Sequence, residues 1–214
     1  NGDTIDGASN GTAATDGDTL TATINGLTAE SGALNIANVE SMRMDTATAA
    51  SLINAAGITG TGTLAFASAQ NVTVSNLAAG VKIGLGFSDT DDDYTGTLDV
   101  SLADETGTAD SITFNIVDQA ANNAVNATLK AAATLESATI NVGTDDDGTD
   151  AATLNVANLK AGTLTLTNGS SAGTNFAADT LTLGTLSTST GTVDASAFAG
   201  IVSATAGTGK ATAF

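Results

Sequence analysis

The stretch Ser88–Asp118, SDTDDDYTGTLDVSLADETGTADSITFNIVD, sets two short alternating runs between acidic turns. Leu98, Val100 and Leu102 fall on one face of the first run, with Asp99 and Ser101 on the other. Ile112, Phe114 and Ile116 repeat the pattern with Thr113 and Asn115 opposite, which is the period-two signature of half-buried strands. Asp104, Glu105 and Asp110 lie between the runs, and Asp89, Asp91, Asp92 and Asp93 lie before them. Carboxylates this close repel one another unless solvent or a cation intervenes.

Working outward, the same grammar continues in both directions. Alternating runs bounded by Gly, Asn or Asp predict strands at Thr63–Ala67, Asn71–Leu77, Val81–Phe87, Thr95–Leu102, Ser111–Val117, Ser137–Val142, Ala152–Val156, Thr163–Thr167, Thr180–Leu183 and Gly191–Asp194. Their spacing is irregular, so no single repeat length governs the chain. The apolar content is mostly Ala, Val, Leu and Ile, with 6 Phe, 1 Tyr and no Trp. Small side chains suit a thin core between closely spaced strands. The 24 Gly and the absence of Pro leave turns to Gly, Asn and Asp, which tolerate positive φ. The expected fold is all-β, an elongated β-solenoid in which each rung buries its aliphatics against the next. A β-sandwich is the alternative. The 214 residues are expected to form one elongated region, a fragment of a longer chain, with a subdivision near 119–135.

Helical insertions are expected at two places. Thr46–Ala56 is Ala-rich, with Asp45 as cap, Gly57 as stop, and Leu52 and Ile53 facing inward. Gln119–Ala132 has Asp118 as cap and places Val125 and Leu129 four residues apart.

Charge narrows the function classes. Five basic residues against 23 acidic ones give a formal net charge of −18. Nucleic acid needs clustered Lys and Arg, and anionic lipid needs the same, so neither is an expected partner. No apolar run reaches the ~20 residues of a spanning helix, which leaves no direct membrane insertion expected. With no His and no Cys, the common nucleophile–base pairs are missing, as are the usual zinc and copper ligands. Paired carboxylates can hydrolyse glycosides, but one Tyr and five basic residues make a poor sugar groove. An enzyme is not expected.

Calcium fits the remaining chemistry, because it takes about six to eight oxygens at flexible distances. The candidate ligands are Asp89, Asp91, Asp92 and Asp93; Asp104 and Asp110, with Glu105 between them; and Asp145, Asp146, Asp147 and Asp150. Solvated loop tips account for the same residues without a metal. Asp3-Thr4-Ile5 and Asp18-Thr19-Leu20 each put an Asp two residues before an aliphatic, as at the end of the calcium-binding nonapeptide repeat. Asp3 and Asp18 join the candidates, although the glycine pattern of that repeat is incomplete. Thr163-Leu164-Thr165-Leu166-Thr167 and Thr180-Leu181-Thr182 align hydroxyls on one sheet face, where an ice-binding plane and ordinary strand preference compete.

Two segments carry a family resemblance. Ile36-Ala37-Asn38-Val39-Glu40-Ser41-Met42-Arg43-Met44, following an Asp-Thr-Leu strand, resembles a phrase of the RTX-type surface-layer proteins of Gram-negative bacteria. Val193-Asp194-Ala195-Ser196-Ala197-Phe198-Ala199-Gly200 resembles another. The resemblance implies a calcium-dependent, type I-secreted protein of the bacterial cell surface, extracellular and non-enzymatic. A homo-oligomer in a two-dimensional lattice is implied, with a cell-surface polysaccharide anchor through regions outside this chain. A stalk or repeat module of a secreted RTX adhesin is the alternative.

Overall fold

A strand whose residues alternate apolar and polar has one face to bury and two edges to pair. A computed structural model describes how this chain does both, for residues 4–6, 18–24, 26, 34–45, 49–67, 70–86, 94–117, 125–143, 151–168 and 180–206. Along the first half run β1 (Thr4–Asp6), β2 (Thr19–Thr23), β3 (Asn35–Ala37), β4 (Ser41–Asp45), β5 (Ser51–Asn54), β6 (Ile58–Thr59), β7 (Thr63–Ala67), β8 (Val72–Leu77) and β9 (Lys82–Leu85). Then come β10 (Thr97–Leu102), β11 (Ser111–Val117), β12 (Asn126–Gly143), β13 (Ala151–Asn168), β14 (Thr180–Thr185), β15 (Thr192–Ala197) and β16 (Ile201–Thr205). The protein is all-β.

Every pairing among the described strands is parallel. No antiparallel pair of the kind a β-sandwich needs occurs among them. Parallel neighbours need a crossover connection, and here the return path is itself strand. One stack pairs β2, β4, β7, β9, β11, the second halves of β12 and β13, and β15. The other pairs β5, β8, β10, the first halves of β12 and β13, β14 and β16. From β4 onward the chain alternates between the two stacks, apart from β6. That short strand joins β1 and β3 in a three-stranded sheet.

Register explains the burial. Leu20, Met42, Leu64, Ile83, Phe114, Ile140 and Leu166 occupy successive partner positions in the first stack. All but Leu20, on the edge strand, are at most 1% exposed. Ile53, Val74, Val100, Ala131 and Leu159 do the same in the second. Inward residues of both stacks merge into one cluster. Each fully buried Leu or Ile contributes roughly 1.5–3 kcal/mol, and a one-residue slip would turn a whole column outward. Partner positions are unevenly spaced. Thr19↔Ser41 and Ser41↔Thr63 are 22 residues apart and Thr63↔Lys82 is 19, whereas Ser111↔Ser137 and Ser137↔Thr163 are each 26. Loops of variable length are thus absorbed outside a constant strand pairing.

Tight approach and buried polarity are handled locally. A Cβ on Gly96 would collide with the carbonyl oxygen of Gln70, and one on Gly84 would lie 2.6 Å from Ala65 Cβ. Asn38 and Asn76 take positive φ of 55° and 56°. Asn76 Nδ2 also donates to Asn54 Oδ1 at 3.0 Å. Tyr94, the one tyrosine, is fully buried and donates its hydroxyl to the Thr97 carbonyl at 2.9 Å. Burial pushes its phenol far above the usual range.

Both expected helices are corrected where they are described, residues 46–48 and 119–124 lying outside the described residues. Ser51–Asn54 is β5, followed by a single 3-10 turn at Ala55–Gly57, and Asn126–Ala132 is the start of β12. In β5 Ile53 is 1% exposed while Leu52 is 38% exposed, the opposite-face placement of a strand. In β12, Ala127, Leu129 and Ala131 are buried in alternation. Val125 and Leu129 share a face either way, since four residues return to the same side of a helix and of a strand alike.

Candidate functional site

Acidic residues collect where strands of the first stack begin. Asp18 precedes β2, Glu40 precedes β4, Asp110 precedes β11, and Glu136 precedes the segment of β12 that pairs with β11. The two glutamate carboxylates of this column hold the backbone of the neighbouring strand. Asp18 N–H donates to Glu40 Oε2 at 3.0 Å, and Asp110 N–H donates to Glu136 Oε2 at 2.7 Å. In return the Asp18 carbonyl accepts from Ser41 N–H, and the Asp110 carbonyl accepts from Glu136 N–H. An Asp followed one level later by a Glu therefore clips two strand starts together, once across 22 residues and once across 26. Glycine continues the column in both cases. Gly62 N–H donates to the Glu40 carbonyl, and a Cβ on Gly162 would lie 3.1 Å from the Glu136 carbonyl oxygen.

The turn between β10 and β11 uses its acids differently. Asp104 Oδ1 accepts from the Thr106 hydroxyl at 2.7 Å and from Thr106 N–H at 3.0 Å. Those two bonds favour the charged form and hold the Asp104 carboxyl below its ordinary value. Glu105 Oε1 accepts from Leu102 N–H at 3.1 Å, which ties the turn to the end of β10. Asp194 in β15 forms the same kind of local loop. Its carboxylate accepts from Ser196 N–H at 3.0 Å, and that backbone bond lowers its pKa, aided by the Ser196 hydroxyl.

Of the sequence-derived calcium candidates, Asp18, Asp104 and Asp110 are described, as is Glu105. Asp3, Asp89, Asp91, Asp92, Asp93, Asp145, Asp146, Asp147 and Asp150 lie outside the described residues. Among the described residues no three acidic side chains converge in a group that could hold a metal. The carboxylates of Glu40, Glu136, Asp104, Glu105 and Asp194 accept from backbone N–H groups. Along the column of strand starts, the acidic neighbours are Asp18 with Glu40 and Asp110 with Glu136, joined through the Asp N–H. Each pair could supply only part of a calcium shell.

Glu40 and Glu136 escaped the sequence reading as functional residues. Their signal is a short phrase, an acid followed by Ser or Thr, that recurs one level apart. It appears as Asp18-Thr19 then Glu40-Ser41, and as Asp110-Ser111 then Glu136-Ser137. The segment Ile36–Met44 takes on a physical meaning from this placement. Ile36, Val39, Met42 and Met44 are its buried positions, and Glu40 is its clip. In the later segment Val193 is buried, Asp194 closes its turn, and Phe198 covers the end of the core at 9% exposure.

The outer face of the first stack carries a polar array. Ser111, Ser137, Thr163 and Thr192 are successive partners, as are Thr113, Thr139, Thr165 and Asp194. Asn141 Nδ2 donates to Asn115 Oδ1 at 2.9 Å, and the Thr167 hydroxyl donates to Asn141 Oδ1. Asn115, Asn141 and Thr167 thus satisfy one another along the stack, a role that needs no ligand. Compared with known proteins, the chain matches no family model, no curated protein and no solved structure.

Proposed function

We propose that this chain is a calcium-stabilised β-solenoid of the bacterial cell surface, a non-enzymatic subunit of a self-assembling surface-layer lattice. The observation that carries the reading is the alternation of the chain between two all-parallel stacks, in a molecule of charge −18 whose acids gather at turns and strand starts. Such a stack gives an extended body with a repetitive surface. The resemblance of Ile36–Met44 and Val193–Gly200 to RTX-type surface-layer proteins supplies the cellular setting, outside the cell after type I secretion. Calcium relieves the repulsion of the acidic turns and bridges neighbouring subunits, and a chain without calcium stays expanded or monomeric.

Light scattering during a calcium titration, followed by chelator, tests the assembly. Ordered growth with calcium and reversal with chelator is the expected result, with sheets visible by electron microscopy. Equal growth in sodium at matched ionic strength would reduce the effect to screening and remove specific sites. Isolated fibres in place of sheets would favour the adhesin stalk. For the sites themselves, replacing Asp91, Asp92 and Asp93 together by Asn lowers the calcium stoichiometry measured by calorimetry. An unchanged stoichiometry would make that triplet a solvated turn.

A further inference from the structure

We draw no further inference here: the strongest candidate, the polar row of Ser41, Thr63, Lys82, Thr113, Thr139 and Thr165 along the outer face of the first stack, is a sheet face of ordinary strand residues, and nothing in the structure shows what covers it.

Discussion

Glu136 shows what a single side chain contributes to this architecture. Its carboxylate accepts the Asp110 N–H at 2.7 Å and joins the starts of two neighbouring strands. Glu136→Gln keeps an acceptor in place, whereas Glu136→Ala leaves the N–H to water. The expected costs are a few tenths of a kcal/mol and about 1 kcal/mol, read from urea unfolding midpoints. Glu40→Ala should behave alike through Asp18. Equal stability of Glu136→Ala and the unsubstituted chain would show the clip to be a passive contact. Asp104 makes a second residue-scale prediction. Its folded carboxyl is depressed below 3.8 by the Thr106 hydroxyl and N–H. A depressed pKa contributes stability above the unfolded value, and the contribution is lost as pH falls through the folded value. Thr106→Val removes the hydroxyl and should raise the Asp104 pKa in an NMR titration while leaving that of Asp194 unchanged.

Elements in this chain are decided by pairing rather than by local propensity. The strands Thr63–Ala67 and Ser111–Val117 were legible to the residue, because alternation and Gly or Asp boundaries agree there with the final register. Asn126–Ala132 was not, since Ala and Leu favour helix and the four-residue spacing of Val125 and Leu129 fits both periods. What settles it is β10 on one side and β13 on the other, partners from 31 and 27 residues away at Thr97↔Thr128 and Asn126↔Thr153. Sequence adjacency carries no trace of such neighbours. The candidate site divides in the same way. Acid-rich turns were visible as composition, but the clips by Glu40 and Glu136 depend on which strand lies next door. Phe114 tests the core at this scale: it is fully buried, between Ile83 and Ile140 in register. Phe114→Ala should cost about 3–5 kcal/mol by opening a cavity. Gly84→Val, beside Ala65 Cβ at 2.6 Å, should destabilise by about 1–3 kcal/mol through overpacking. A Gly84→Val protein as stable as its parent would contradict the close approach of β7 and β9.

For the whole molecule, two forces of opposite sign act along the same stack. Apolar columns hold the parallel strands together, and a net charge of −18 pushes the turns apart. In the proposed reading, calcium would bind the folded form and not the unfolded one, and would shift the balance by an amount that grows with its concentration. The most direct measurement of this claim is the thermal midpoint of the β-sheet circular dichroism signal as calcium is raised at constant ionic strength. The account predicts a β-dominated spectrum whose midpoint climbs steadily with the logarithm of calcium concentration and falls back with chelator. A midpoint that sodium raises as far as calcium does would contradict it.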